Sequence, residues 1–547
     1  MSEQELKLHV PHESHQAIAR ALERGKSTTI QMRALYFDTP TRELVGARIA
    51  LRLRLEGTQW VQTLKMPGQH SLSRLEINQD RPDATLDLSI YDGTPAGEVL
   101  SHLKQPLHVC YETDVHRLLK ETRTKAGVVE IAFDRGWIKA GALLLPLSEV
   151  EFELKRGRLA AVFDLGRRWQ KRFGLVLDFR SKAERGDRLA QLAQTLQLLE
   201  ARAITDERAK QQLAAERAKH VADFWNPRGS QAVSMQESTR LQEASHSLAM
   251  VMSECLEQIV RNAAFLCEVD TAGICKMANP EHVHQLRVGI RRLRSAWSFF
   301  DGMTELPSPE LRQATTQHFS LLGSTRDNDV LRDFIVPLLE KAGLPPLIWP
   351  DAVSADEGTE LVRTTAFQGW LLDLLEFSVT AADSRIPPTP LQTTPQPPLD
   401  ALQSGAQQDF IFPRAVKEPP LKPLLIKKLN KWHRQIIKDG LTFLELEIEC
   451  QHALRKKCKR LRYAMQFCES LLPSAVLAPY RKQLAATQDI LGEMNDLYVA
   501  GPLFAELRQT QPQAWFASGW ISARLQVLSL EAAQSFKALA STQPPWK

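Results

Sequence analysis

Glu3-Gln4-Glu5-Leu6-Lys7 is the stretch on which the reading of this chain turns. Successive side chains of a β-strand point to opposite faces, so Glu3, Glu5 and Lys7 would stand in a row on one face. Two carboxylates that close repel each other unless a cation lies between them. Oxygen-only ligands suit a hard ion such as Mg²⁺ or Mn²⁺. The neighbouring Lys7 then points to an anion as the ion's other ligand, with phosphate the obvious choice. By itself, charged alternation marks the wet face of many sheets. Its meaning depends on what the other strands carry.

Period two continues outward to about residue 182. Between Arg48 and Glu56, isoleucine and leucines take one face, and Arg48, Arg52, Arg54 and Glu56 the other. Arg74, Glu76 and Asn78 alternate with Leu75 and Ile77. Glu130, Ala132 and Asp134 alternate with Ile131 and Phe133, and Glu149, Glu151, Glu153 and Lys155 with Val150, Phe152 and Leu154. These patterns predict half-buried antiparallel strands, interrupted by short helices at Glu13 to Arg24 and Gly157 to Phe173. The polar faces are sorted by sign. Carboxylates gather at Glu3 with Glu5 and at Glu149, Glu151 and Glu153. Cations gather at Arg52, Arg54, Lys65, Arg74, Arg117, Arg180 and Lys182. A solvated face mixes its signs, because like charges opposed across strands destabilise a sheet. Sorting therefore predicts a barrel with a polar interior, acidic on one wall and basic on the other, holding a metal bridged to a polyanion. The apolar faces would pack outward against the short helices.

Composition sets the frame. A length of 547 residues allows two to four domains, and 43% hydrophobic with 24% charged residues is ordinary for globular protein. A net charge of +5 is small for this length, so any basic site must be local. Seven cysteines without a CxxC pair suggest neither a disulfide framework nor a zinc site, and fit a reducing cytoplasm. The N-terminus lacks the basic and apolar regions of a signal peptide. No apolar run approaches membrane-spanning length, so a soluble protein with no membrane partner is expected.

From about Ala183 the period becomes helical. The expected division is a strand-rich domain over 1–200, a helical linker over 201–230 and a helical domain over 231–547. Residues 387–423 carry ten prolines and read as a loop or disordered insert. The helical half repeats itself. His284, Arg287, Arg291 and Arg294 have the spacing of His452, Arg455, Lys459 and Arg462, with Leu286 matching Leu454 and Arg292 matching Arg460. Leu322-Gly323 with Asp327 and Val330 then matches Leu491-Gly492 with Asp496 and Val499. The fold class expected is α+β: a barrel followed by an all-α duplicated helical bundle. Offsets 0, 3, 7 and 10 fall on one helical stripe, so each copy presents a histidine and three cations along one face. A lone stripe of this kind reads as a solvated helix face; duplication could bring two around a common basic surface. Neither stripe has a carboxylate beside its histidine, which argues against metal there. A basic stripe would also suit nucleic acid or acidic lipid, with nucleic acid the less favoured partner.

With these motifs in order, the first 200 residues resemble the CYTH, or triphosphate tunnel metalloenzyme, family. The resemblance rests on Glu3-Gln4-Glu5-Leu6-Lys7, Tyr36-Phe37-Asp38-Thr39, Leu51-Arg52-Leu53-Arg54, Thr63-Leu64-Lys65, Ser73-Arg74-Leu75-Glu76 and the run from Glu149 to Leu154. It implies an eight-stranded antiparallel tunnel that hydrolyses or cyclises triphosphate compounds with divalent metal. It also implies that Glu3, Glu5, Glu149 and Glu151 hold Mg²⁺ or Mn²⁺, with Glu153 and Asp134 as further candidates. Lys7, Arg52, Arg54, Lys65, Arg74, Arg117 and Lys182 would grip phosphate, and Glu3, Glu5, Lys7, Arg52 and Arg54 would carry catalysis. Inorganic triphosphate, split to pyrophosphate and phosphate, is the favoured substrate; thiamine triphosphate, a nucleoside triphosphate and cyclisation of ATP remain alternatives. No aromatic or base-reading motif stands out among the expected lumen positions. Residues 230–540 resemble the CHAD family, the conserved-histidine α-helical domain, which implies inorganic polyphosphate as partner along a basic groove of the two histidine stripes; recruitment of a cytoplasmic enzyme to polyphosphate granules is one use such binding would have. A non-enzymatic polyphosphate sensor is the alternative, disfavoured because a polyanion receptor has no use for five glutamates without metal.

Overall fold

A computed structural model of the chain describes residues 2–68, 72–205, 207–236, 239, 243–269, 280–323, 331–349, 356–383 and 419–546. Its strand half is a closed barrel. The strands are β1 (Ser2–His9), β2 (Thr28–Asp38), β3 (Ala50–Glu56), β4 (Gln59–Pro67), β5 (Ser73–Arg81), β6 (His108–Arg123), β7 (Gly127–Ala140) and β8 (Leu143–Gly157), with a two-residue β9 (Val176–Leu177). They run in the order β5-β4-β3-β2-β6-β7-β8-β1, and β1 returns to β5 to close the ring. Every pairing is antiparallel.

β1 is the closing strand, and its register sets the site. Glu3 lies opposite Arg74 on β5, while Lys7 and His9 lie opposite Glu151 and Glu149 on β8. β9 takes the edge of β1 beyond β5, pairing Leu8 with Leu177. The even residues Leu6 and Leu8 turn outward and are fully buried with Val150, Phe152 and Phe133. They pack beneath α1 (His15–Glu23) and α4 (Ala160–Phe173), whose Ile18, Leu22, Val162 and Phe163 join the same cluster. The barrel is therefore polar inside and apolar outside, as the period-two pattern predicts. Two short helices, α2 (Glu43–Gly46) and α3 (Pro95–Ser101), cover a second cluster around Leu51 and Leu64.

The joining region is largely helical as far as Trp225. α5 (Lys182–Thr205) belongs to the barrel wall, packing on β6 and β7, and α6 (Glu207–Ala222) folds back on it. Within α5, a Cβ added to Gly186 would lie 2.2 Å from the Tyr111 ring, so only glycine permits the helix to approach β6 this closely. Residues 226–236 then cross to the helical half without regular secondary structure, pinned where the Met235 N–H donates to Ser470 Oγ at 2.9 Å.

The helical half comprises α7 (Ala244–Leu266), α8 (Pro280–Phe300) and later helices that include Pro309–Leu321, Thr365–Asp383, Leu421–Leu441, Ile448–Phe467, Ser474–Leu507 and Ala514–Ser541. The expected insert at 387–423 lies outside the described residues up to 418. Its last residues depart from the loop reading: Pro420 caps the helix that starts at Leu421, and Pro423 sits in its first turn, where a missing N–H breaks no helical bond. Asp327 and Val330 also lie outside the described residues; Asp496 and Val499 are on Ser474–Leu507. One apolar cluster runs from the outer face of the barrel into the helices. Arg167 of α4 reaches Asp373 at 2.7 Å and also pairs with Glu376, and the Leu177 N–H donates to Gln368 Oε1 at 2.9 Å. Among the described residues no helix is long and apolar enough to cross a membrane.

Candidate active site

The barrel encloses a cavity of about 1650 Å³ lined by side chains of all eight strands. Its acidic arc is β7, β8 and β1. Oxygens of Asp134, Glu149 and Glu151 lie within 4.8 Å of one another, a spacing that would hold a cation. Lys182, at the first position of α5, already puts its Nζ among them, 2.7 Å from Asp134, 2.5 Å from Glu149 and 2.7 Å from Glu151. Arg117 adds a fork to Asp134, with Nε and Nη2 each at 2.6 Å, and a bond to Glu151 at 2.6 Å. Buried Arg185 pairs with Glu149 from α5, and Lys7 stands 3.6 Å from Glu149. Burial acts to raise Glu149, but Arg185, Lys182 and Lys7 outweigh it and hold the carboxyl at about 2. Glu151 is likewise kept well below the ordinary range by Lys182 and Arg117, against burial.

Glu3 and Glu5 are in the opposite state. Burial pushes the Glu3 carboxyl up to about 8, helped by a hydrogen bond shared with Glu76, although Lys65 opposes the rise. Burial also raises Glu5, and the charge on Glu151 adds to it. Burial thus outweighs the nearby cations at Glu3 and Glu5, whereas Asp134, Glu149 and Glu151 are paired with cationic side chains of the protein. The donors are oxygen alone and fit a hard divalent ion.

The basic arc is β3, β4 and β5. Lys65 bridges Glu3 and Glu76 at 3.0 and 2.7 Å. Arg52 lies 3.8 Å from Glu76 and donates to the Tyr36 hydroxyl at 3.3 Å. Burial and the charge on Arg52 bring Arg54 down to about 10, although Glu56 pairs with it. Arg74 donates to its neighbour's carbonyl, Ser73 O, at 3.1 Å. The signs interleave more than the sequence implied: Glu76 sits on the basic arc, and Lys182, Arg117 and Arg185 on the acidic one. Glu153 lies opposite Glu5 in the sheet, lines the same cavity and pairs at 2.9 Å with Lys155.

A second basic surface lies in the helical half. α8 carries His284, Arg287, Arg291 and Arg294, and Ile448–Phe467 carries His452, Arg455, Lys459 and Arg462. The two helices pack on each other, and all eight side chains are half-buried, which sets aside a plain solvated face. Phe319 lies under three guanidiniums, those of Arg287, Arg291 and Arg294, at 4.6, 5.6 and 5.5 Å. Burial together with Arg291, Arg455 and Arg462 brings the Lys459 ammonium down to about 6, against the pull of Asp496. Cations from both repeats therefore crowd one seam.

Residues 1–186 match the CYTH domain family and residues 250–505 the CHAD domain family. The chain carries a CYTH domain followed by a CHAD domain. It is 29% identical over 156 residues to the inorganic triphosphatase of Haemophilus influenzae, a match covering 28% of this chain and 44% of that protein. The match thus spans under half the length of that curated relative. The CHAD domain crystal structure from the plant Ricinus communis has 26% identity, covering 58% of this chain and 98% of that one, with a TM-score of 0.42. A Hippeastrum protein with a dominant triphosphatase activity has 17% identity over 33% of this chain and 91% of its own, with a TM-score of 0.23.

In the CYTH half, Glu3, Glu5, Lys7, Arg52, Arg54, Lys65, Arg74, Glu149, Glu151, Glu153 and Lys182 line one cavity with Arg117. Asp134 stands behind that wall, wholly buried. Two features were absent from the sequence reading. Arg185 carries no strand periodicity, because it comes from α5. An aromatic pair also lines the lumen: Tyr36 stacks on Tyr111 with centroids 4.6 Å apart and planes at 17°. In the CHAD half the repeat is imperfect. Arg460 lies over the Trp432 ring at 5.4 Å, but its counterpart Arg292 is fully buried and bonded to Gln258 and the Gln231 carbonyl.

Proposed function

We propose that the CYTH half hydrolyses inorganic triphosphate to pyrophosphate and phosphate with Mg²⁺ or Mn²⁺, and that the CHAD half binds inorganic polyphosphate. The observation that carries the first part is the placement of Glu3 and Glu5, whose buried carboxyls are raised, opposite an arginine wall inside one closed lumen. The ion would lie among Glu3, Glu5 and Glu151. When bound, it polarises the terminal phosphoryl group and lowers the pKa of a bound water. The protein supplies the rest. Arg52 and Arg54 fork onto phosphate oxygens, and Lys65 and Arg74 neutralise the far end of the chain. Asp134 and Glu149 hold Lys182 and Arg117 at the acidic arc, aimed where charge collects in a loose phosphoryl-transfer transition state. A carboxylate of the Glu3–Glu5 pair accepts the proton of the attacking water.

The tyrosines favour a substrate without a base. Tyr36 and Tyr111 are 4% and 8% exposed and stack on each other, so neither offers a face to a nucleobase or thiazole. The test is phosphate release from triphosphate but not from ATP, abolished in Glu5→Ala and by chelator. Conversion of ATP to a cyclic product without phosphate release would overturn the reading. For the CHAD half the carrying observation is the crowding of Lys459 among arginines of both repeats, which a polyanion would relieve. The same seam would retain the protein on polyphosphate granules in the cytoplasm. Preference for duplex DNA over polyphosphate at equal salt would count against it.

A further inference from the structure

A second, smaller cavity of about 310 Å³ lies where residues 226–231 pass between the barrel and α7. That volume is at the lower end of small-ligand pockets, roughly 300–1,000 Å³. Arg180, Arg188, Arg228 and Arg261 line it, and among the described residues no aspartate or glutamate does. The carboxylates that fix these arginines stand outside the cleft. Glu184 and Glu257 hold Arg261, Glu254 holds Arg228 at 2.9 Å, and Asp178 holds Arg180 through a fork at 2.9 and 3.1 Å. Glu184, Glu254 and Glu257 all line the tunnel cavity instead. Carboxylates on the tunnel side thus orient guanidiniums that also face the cleft. A guanidinium has five N–H donors. Arg261 gives three to Glu184 and Glu257, and Arg228 gives two to Glu254 and Gly229 O, leaving two and three for a guest. Arg188, Arg228, Gln231 and Arg261 line both cavities, so the two spaces meet at these side chains.

We propose that this cleft is a second anion site that binds pyrophosphate or phosphate, and that it receives the product leaving the tunnel. A half-open cleft with several arginines and no acidic wall among the described residues suits a small, multiply charged anion, which guanidinium forks bind bidentately. The binding stands on the cleft alone; the tunnel as source rests on the triphosphatase reading.

The experiment is a calorimetric titration of the full chain with sodium pyrophosphate, without divalent metal, compared with Ser230→Glu. Ser230 is an exposed loop residue on the cleft wall, so the variant adds negative charge without breaking an ion pair. The expected result is loss of one equivalent, or at least tenfold weakening of one binding event, in Ser230→Glu but not in Ser230→Ala. Arg188→Gln should weaken the same event. If the tunnel binds no pyrophosphate, the wild type shows one event rather than two, and Ser230→Glu still removes it. Identical titrations for wild type and Ser230→Glu would overturn the cleft. To test the source, pyrophosphate inhibition of triphosphate turnover should contain a non-competitive part that Ser230→Glu removes. Inhibition unchanged by that variant would overturn the tunnel as supplier, with the cleft then filled from solution.

Discussion

The Lys182 ammonium stands 2.7 Å from the carboxylate of Asp134, a side chain with no exposed surface. Asp134 also forks onto Arg117, so one buried carboxylate orients two cations of the lumen. Removing one partner of a buried ion network leaves charge uncompensated, and that costs more than the pair contributes. Asp134→Asn keeps the shape and removes the charge. It should cost about 3 kcal/mol in urea unfolding and lower triphosphate turnover roughly 10–100-fold, the usual effect of losing an orienting partner. Unchanged turnover would mean that Lys182 and Arg117 are held adequately by Glu149 and Glu151.

Gly186 sets the distance between α5 and the barrel. Alanine is the better helix former by about 1 kcal/mol, so an unobstructed Gly186→Ala would stabilise. Here the new methyl meets the Tyr111 ring, and overpacking of this kind costs about 1–3 kcal/mol. α5 must move outward, taking Lys182 and Arg185 with it. The variant should melt lower and turn over triphosphate more slowly. A higher melting temperature would show that the helix does not approach β6 so closely.

What could be read in the sequence follows from what a strand encodes. Alternation at Glu3, Glu5 and Lys7, and at Glu149 and Glu151, assigns side chains to the lumen because the period is two residues. It does not assign height along the barrel. Glu153 continues the same alternation one step further along the strand, where its partner is Lys155 in place of Lys182 or Arg117. Nor does alternation reveal groups delivered from outside the sheet. Arg185 arrives on α5, and Arg261 reaches the tunnel from α7 through its bonds to Glu184. In the helical half the repeat located the histidine stripes, but nothing in it singled out Phe319, which comes from a neighbouring helix. The same repeat paired Arg292 with Arg460, although packing has buried the first and left the second half-buried.

Glu3 gives the metal site a pH dependence whose sign is fixed. Its carboxyl ordinarily titrates at 4.5 and is raised to about 8 in the folded chain, chiefly by burial. Between those values the folded state keeps a proton that the unfolded state has lost. Glu3 therefore contributes stability that is full below 4.5 and is lost as pH rises through 8. A divalent ion competes for the same oxygens, so its affinity should rise with pH over this window, by up to about tenfold per unit. Melting with and without Mg²⁺ at pH 6 and pH 8 checks this. The Mg²⁺-induced shift should be larger at pH 8 and lose its pH dependence in Glu3→Gln. Equal shifts at both pH values would remove Glu3 from the ion's ligands.

Lys459 titrates in the reverse sense. Its ammonium falls from 10.5 to about 6 through burial and the arginines around it. Between these values the unfolded state holds the proton that the folded state lacks, so this group makes the protein more stable as pH rises from 6 toward 10.5. A polyanion in the seam reverses that preference, because it needs the charged ammonium beside Arg291 and Arg455. Polyphosphate binding at pH 7.5 should then take up a proton and tighten as pH falls toward 6. Calorimetric titrations in two buffers of different ionisation enthalpy measure the uptake directly, and Lys459→Gln should abolish it. Binding without proton uptake would place the polymer away from Lys459, along the outer faces of the two helices.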